Sequence, residues 1–213
     1  MSPRARSDSA AADEPRAYHH GDLRPALIRA ALTLLRTEGP EALTLRGVAR
    51  AAGVSQTAPY RHFADRRELV AAVAEDGFRR MREAMLEAAR SAEGPAGFRQ
   101  VAFAYVRFAH AHPAEYRVMF GPEVARHADF PDLRAESHGI LGFVAEGIGA
   151  LQTAGLVGPG DPAIMAVALW SMLHGLVMLS LDGQTAGVAP SLEALVEETT
   201  RLMMFGMARR PAP

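Results

Sequence analysis

The chain has 213 residues, 49% of them hydrophobic, which is material for one medium core or two small ones; with no Cys it excludes a disulfide framework and a thiolate metal site. Its net charge of −1 does not by itself suggest nucleic acid, but residues 1–67 hold 11 Arg against 7 carboxylates and the remainder holds 12 against 17. A basic head on an acidic body is the asymmetry expected of a DNA-binding module attached to something else.

No positively charged, apolar leader opens the sequence, so a cytoplasmic protein is expected. Residues 1–17 lack periodicity and are expected to form a disordered tail, whose Arg4, Arg6 and Arg16 either stay solvated or reach phosphates or the minor groove. Asp22 is a candidate N-cap with Pro25 in the first turn. Leu27, Ile28, Ala31, Leu34 and Leu35 then give an amphipathic helix to about Thr37, and Gly39-Pro40 stops it. Leu45, Val48, Ala49 and Ala52 mark one face of a second helix. Leu43 and Val48 are placed as a hydrophobic staple across an N-cap at Thr44, and Gly53 supplies the positive φ of a sharp end.

A third, short helix is predicted over about Gln56 to Phe63. Pro59 and Phe63 turn inward, Thr57, Ala58, Tyr60 and Arg61 turn outward, and Gln56 and His62 flank the buried side. Pro59 removes a donor and biases Ala58 away from the α region, which is tolerable only near a first turn. Two helices across a Gly turn have the layout of a helix-turn-helix, whose second helix can enter a major groove.

Asp65 and Glu68 form an acidic capping box opening a long helix to about Ala92, with Leu69, Val70, Val73, Phe78, Met81 and Met85 on its apolar side. At about 1.5 Å per residue it approaches 40 Å, long enough to connect the head mechanically to the far domain. Phe98, Val101, Ala102, Tyr105, Phe108, Ala109 and His112 keep helical spacing until Pro113, and a short helix through Tyr116, Met119 and Phe120 ends at Gly121-Pro122. Residues 123–131 read as a loop or a single turn. A helix over about Asp132 to Ala154 turns Ile140, Leu141, Val144, Ile148 and Leu151 inward. Pro162 to Leu181 carries no formal charge, but its flanks are Asp161 and Asp182, with no Arg cluster to set a topology, and its middle holds Trp170, Ser171 and His174. A helix buried in the core and at a subunit interface is preferred there to a membrane span. Ser191 caps a last helix striped by Leu192, Leu195, Val196, Thr199, Leu202, Met203 and Gly206. The fold class is all-α, and the last two helices suggest a four-helix dimer interface.

Residues 47–69, GVARAAGVSQTAPYRHFADRREL, resemble the DNA-binding signature of the TetR family of transcriptional regulators. The Trp170 to His174-Gly175 stretch is similar to the pattern that names the Trp-His-Gly class of C-terminal domain in that family. The opening Tyr18-His19-His20-Gly21-Asp22-Leu23-Arg24 is also similar to members with that domain. The resemblance implies a DNA-binding domain over 18–67, an effector-binding and dimerisation domain over 68–210, and a repressor that leaves its operator when a small apolar ligand binds. It places Gln56, Thr57 and Ala58 near base edges, where Gln can bond adenine bidentately and a Thr or Ala methyl can meet the thymine methyl. By the same resemblance Tyr60, His62 and Arg66 hold backbone phosphate, and Thr44 sits at a helix N-terminus suited to phosphate; Arg61 reads guanine or grips phosphate.

In the body, Phe108, His112, Tyr116, Met119, Phe120, Phe143, Trp170, His174 and Met178 are candidates to line an effector cavity, being mostly apolar with a few orienting polar groups. The plainer alternative is ordinary core. Three readings of His174 stay open: it bonds a ligand, it satisfies a polar group within the core, or it meets its mate across a dimer. The second is preferred. A metal site is disfavoured, because His110 and His112 diverge on a helix and no carboxylate cluster accompanies them. No cofactor is implied, and the motifs of nucleotide-binding or hydrolytic enzymes are absent. The alternatives are a transcriptional activator, a helix-turn-helix protein whose body recruits another protein, and an enzyme with a helical active site.

Overall fold

The computed structural model describes residues 23–126 and 129–207. The expected tail, the cap at Asp22 and the Tyr18 to Asp22 part of the N-terminal resemblance lie outside them. Among the described residues the architecture is all-α, with eight α-helices: α1 (Leu23–Glu38), α2 (Leu45–Ala51), α3 (Arg66–Arg90), α4 (Gly94–Ala111), α5 (Pro113–Met119), α6 (Pro131–Thr153), α7 (Pro162–Leu181) and α8 (Leu192–Met207). Single 3-10 turns lie at Pro40–Ala42, Pro59–Arg61 and Pro122–Val124.

Local chemistry sets the boundaries. The Thr44 hydroxyl accepts from the Gly47 amide at 3.0 Å to open α2, and Leu43 and Val48 of the staple are both fully buried. Gly53 takes φ +67°, so the chain turns sharply after α2 where a side chain would be strained. The Asp65 carboxylate accepts from the Glu68 amide at 3.0 Å, and the Glu68 carboxylate accepts from the Ala64 amide at 2.7 Å. The reciprocal bond of the acidic box thus falls one residue earlier than the usual form. Pro113 and Pro162 occupy first turns, and the Ser191 hydroxyl caps α8 through the Ala194 amide at 3.2 Å.

The head packs Leu27, Leu35, Leu43, Val48, Phe63 and Leu69 into one core. α3 leaves the head and becomes the central helix of the body. Its positions 69–74 are buried consecutively, because the head lies on one side and the body on the other. α4, α5 and α6 pack around it, while α7 lies on α6 and α4, and α8 on α4 and α7. α1 also touches α5, so head and body meet at a second place besides α3.

One expectation is corrected. The reading segment is not a continuous α-helix: bonds run from Ala58 to Ser55 O and from Arg61 to Ala58 O, and only Pro59–Arg61 closes as a 3-10 turn. Pro59 has no N–H to return to Ser55, so the segment tightens to i→i+3 bonding as far as His62, before the Phe63 amide returns to Pro59 O at 3.0 Å. Ala58 nevertheless stays in the α region, at φ −61° and ψ −42°. Within one chain α7 is buried on one side only, the other side being the one that the expected subunit interface would cover. Ala166, Leu169, Leu173 and Val177 face the core, whereas Ile164, Val167, Met172 and Leu179 are exposed.

Candidate functional site

The outward face of the head is assembled from α2 and the reading segment. Thr57, Tyr60 and Arg61 are exposed, His62 is half-buried, and Pro59 and Phe63 are buried, as the winding of the segment predicts, whereas Ala58, expected outward, is half-buried and Gln56, expected beside the buried side, is exposed. Tyr60 stands 53% exposed, which is high for a tyrosine with no solvent-side duty. Thr57 shares a 3.3 Å hydroxyl contact with Ser55. Thr44 is exposed at the start of α2, where its hydroxyl already holds the cap.

Arg66 departs from its expected phosphate role. Its Nε donates to Leu43 O at 2.7 Å and its Nη2 to Pro40 O at 3.0 Å, while Nη1 pairs with Glu123 from the turn after α5. All three nitrogens are committed to protein acceptors, and the side chain stitches the head to the body. Arg67 is likewise turned to the body, on Asp129 at 3.1 Å and over the Phe130 ring. The cations left on the outer face are Arg46, Arg50 and Arg61, all exposed and none paired with a carboxylate among the described residues. Arg46 and Arg50 were missed in the sequence. With Leu45, Val48 and Ala49 facing in, positions four apart on the opposite side of α2 were the available signal.

In the body, the effector candidates separate into groups. Tyr116, Phe120, Trp170 and His174 come together, with ring centroids 4.6 to 5.9 Å apart between neighbours. A hydrogen-bonded chain runs through them and through Tyr105. Trp170 Nε1 donates to the Tyr105 hydroxyl at 3.1 Å, the two tyrosine hydroxyls are 2.6 Å apart, and Tyr116 Oη lies 2.7 Å from His174 Nδ1. The indole donates only, and with an accepting His174 Nδ1 the chain runs Trp170 to Tyr105 to Tyr116 to His174; with Nδ1 protonated the last two links reverse, because the Tyr105 oxygen can accept twice. Burial lowers the His174 pKa and so keeps the ring neutral, as an acceptor must be. Burial also pushes Tyr105 up to about 12, against the opposing effect of its bonds with Tyr116 and Trp170, and raises Tyr116, where the neighbouring Tyr105 adds to the burial. His174 therefore satisfies a buried hydroxyl within the core.

Beside this chain lies a cavity of about 200 Å³. Phe78 and Met81 of α3, Tyr105 of α4, Phe120, and Ile140 and Leu141 of α6 wall it, Trp170 closes one side, and Ser137 and His138 stand at the polar edge. Of the expected set, Phe120 and Trp170 line it. Tyr116 and His174 support it from behind, and Met119 packs its thioether against Gly77. Phe143 lines a separate apolar groove lower down α6, Phe108 and His112 border an open groove on the far side of α4, and Met178 lines none of these spaces. Tyr105, Met81 and Ser137-His138 were not singled out, and only the rule that a buried phenol needs a partner pointed at Tyr105.

A second polar knot joins the head to the body. Glu115 of α5 is 1% exposed. Its Oε1 accepts from Arg36 Nε at 2.8 Å, its Oε2 pairs with Arg80 of α3, and His112 Nδ1 approaches at 3.8 Å. Among the described residues, no group of three or more His, Asp or Glu side chains is placed to hold a metal ion.

The family model of the bacterial regulatory proteins of the tetR family matches residues 27–73, and that of a tetracyclin repressor-like C-terminal domain matches residues 98–203. The second supports the C-terminal resemblance for the family and not for the Trp-His-Gly class. An uncharacterised helix-turn-helix-type transcriptional regulator of Mycobacterium tuberculosis is 28% identical over 191 residues, 88% of this chain and 82% of that one. A protein of unknown function from Rhodococcus sp. RHA1 is 35% identical and has a TM-score of 0.81, over 92% of this chain and 100% of its own. A TetR family transcription regulator from Marinobacter aquaeolei VT8 shares the fold at 18% identity and a TM-score of 0.68, over 89% and 97% of the two chains. The two matched segments cover the head and most of the body, and the reading face and long α3 stand where such regulators have them: the chain belongs to the TetR family of DNA-binding transcriptional regulators.

Proposed function

We propose that the protein is a homodimeric repressor that leaves a pseudo-palindromic operator when a small apolar ligand enters the body. The reading divides the chain into a DNA-binding head over 18–67 and an effector-binding, dimerising body over 68–210. Two reading segments enter successive major grooves, with Gln56, Thr57 and Ala58 toward base edges and Tyr60, His62 and Arg61 on or near the backbone. Arg46 and Arg50 join them as phosphate contacts in the place that Arg66 does not fill.

Dimerisation through α7 and α8 is supported by the exposed apolar side chains Ile164, Val167, Met172, Leu179 and Leu202. A contiguous stripe of that kind is more than a monomer ordinarily leaves in water. α7 is long and apolar enough to cross a bilayer, yet its inner side is the wall of the body, and a second copy accounts for the rest.

One observation carries the ligand-linked part. α3 is unbroken from the cap at Asp65 to Arg90, with Leu69 in the core of the head and Phe78 and Met81 in the wall of the cavity. A guest that displaces Phe78 or Met81 acts on the helix that positions the head. Arg36 on Glu115 and Arg66 on Glu123 transmit the same displacement by two further struts. The ligand releases DNA only to the extent that it prefers the shifted arrangement.

A mobility-shift titration tests the reading. The full chain should retard the DNA upstream of its own gene, and a panel of apolar compounds should contain some that abolish the shift. Retarded DNA that no compound releases would favour a body that recruits another protein, and compounds that only tighten binding would favour an activator or co-repressed regulator.

A further inference from the structure

The cavity beside Trp170 is the upper member of three spaces that share walls. The middle one holds about 40 Å³ and the lower one about 290 Å³. Upper and middle share Tyr105, Ile140, Leu141 and Trp170, and middle and lower share Phe98, Val101 and Val144. The order is the same along α3, α4 and α6. On α6 the walls descend from Ser137 through Leu141 and Val144 to Gly147 and Leu151, and on α3 from Phe78 through Met85 to Ala89. Antiparallel α4 supplies Tyr105, then Val101, then Gly97. From Ser137 to Leu151 at about 1.5 Å per residue, the path is about 20 Å long.

Three features fix what such a path can hold. No polar atom lines the middle space, and at about 40 Å³ it is the narrowest in volume of the three, which favours a slender guest over a bulky one. Met85 and Met203 border it, and unbranched thioethers swing aside more easily than branched side chains. The two ends differ in chemistry: at the upper one the Trp170–Tyr105–Tyr116–His174 chain is satisfied internally and exposed His138, beside Ser137, stands at the mouth to meet a polar head, whereas the polar side chain at the lower one is the exposed Glu93 carboxylate, which repels an anionic head. The lower space is floored by Ala92, Gly97, Gly147 and Ala150, small residues that leave room for a tail.

We infer that the effector is a linear amphiphile, a straight alkyl chain with one hydrogen-bonding head, lying head-up along α6 from Ser137-His138 to Gly147. The inference rests on the ligand-sensing reading above and narrows it to a ligand class. Length selectivity is set at the lower end, where Gly147 and Ala150 decide how far the tail reaches. The Cβ that Gly147 lacks would meet the Phe98 ring at 3.7 Å, ordinary contact, so a side chain there fills the floor without forcing the helices apart.

Trp170 is the chain's one tryptophan and borders both upper and middle spaces, so its emission reports their occupancy. The full chain is titrated with octanoic, dodecanoic and hexadecanoic acids, with the matching primary alcohols, and with 2-naphthol and a steroid ketone as compact controls. Release of the upstream DNA is followed in parallel. Affinity for the linear series should rise by about fourfold per added methylene until the path is full, at the ordinary value of burying a CH₂. Gly147→Leu and the exposed Ala150→Leu should remove the gain beyond dodecanoic acid and leave octanoic acid unchanged, provided helicity is unaltered in at least one of them. Compact rings that bind and release DNA, with no length dependence among chains, would overturn the linear class while leaving the ligand sensor standing. Chains that bind with the expected length cut-off but never release DNA would support the site and overturn the sensor. Unchanged Trp170 emission with every compound would overturn both.

Discussion

Replacing Glu115 by Ala should destabilise the protein by about 3 kcal/mol, mainly through the cations left behind. The carboxylate is 1% exposed and holds two guanidinium groups, Arg36 from the head and Arg80 from α3. Breaking a buried ion pair by removing one partner costs about 3–5 kcal/mol, because the remaining charge loses its compensation. The Arg36 side chain is 52% exposed and can turn to water, whereas Arg80 is 26% exposed and keeps Asp76 at 2.8 Å and its place over the Phe108 ring, which puts the cost at the low end of that range. In a domain of this size each kcal/mol moves the midpoint by about 2–4 °C, so the melting temperature should drop by roughly 6–12 °C. Glu115→Gln keeps the volume but turns an amide N–H₂ toward a guanidinium, and should lose about half as much. Arg80→Ala should exceed Arg36→Ala for the reason of exposure already given. Thermal melts at one fixed protein concentration, with a double-mutant cycle between Arg36 and Glu115, measure these terms. A Glu115→Ala midpoint within one degree of wild type, or Gln as harmful as Ala, would refute the assignment of the loss to charge.

On DNA, Arg46→Ala, Arg50→Ala and Arg61→Ala should each weaken binding to every sequence and lower the salt slope by about one, while Gln56→Ala should act mainly on the specific site, by about 1–3 kcal/mol. Arg66→Ala should instead leave the salt slope intact and lower the melting temperature, and a slope reduced as by Arg61→Ala would show that its guanidinium leaves Glu123 for phosphate. Stability should be full above about pH 6.5 and fall below it, because burial depresses the pKa of folded His174, so the unfolded chain takes up the proton first. His174→Gln should flatten that acid limb in part, His110 and His112 having depressed pKa values of the same sign through burial; an unchanged limb would exclude His174 as a contributor. Leu179→Glu or Met172→Glu should convert the dimer to monomer in sedimentation velocity, and dimers that persist would place the interface off α7.

The helix boundaries were legible because each carries local chemistry: hydroxyl or carboxylate caps at Thr44, Asp65 and Ser191, prolines in first turns at Pro113 and Pro162, and positive-φ glycine at Gly53. The outward face at Tyr60 and Arg61 came from winding alone. The geometry of the reading segment was not legible, because the apolar period of a short segment is the same whether Pro59 forces i→i+3 bonding or not. The fate of Arg66 depends on Glu123, 57 residues away, and that of Glu115 on Arg36 and Arg80, 79 and 35 away. A lone carboxylate between Ala114 and Tyr116 reads as solvated until tertiary packing brings two arginines to it. The effector set was only partly gathered, since periodicity identifies inward side chains and says nothing of where the helices leave space between them.

In the proposed α7–α8 dimer, the half-covered α7 ties this protein's integrity to its abundance. A protomer that leaves Ile164, Val167, Met172 and Leu179 against water is stabilised by mass action when it finds a second copy, so dilution weakens the fold and the operator-competent species together. A cell holding few copies would then lose DNA-bound regulator more steeply than by simple titration of sites, and the lone protomers, with those side chains uncovered, would be the first molecules its proteases remove.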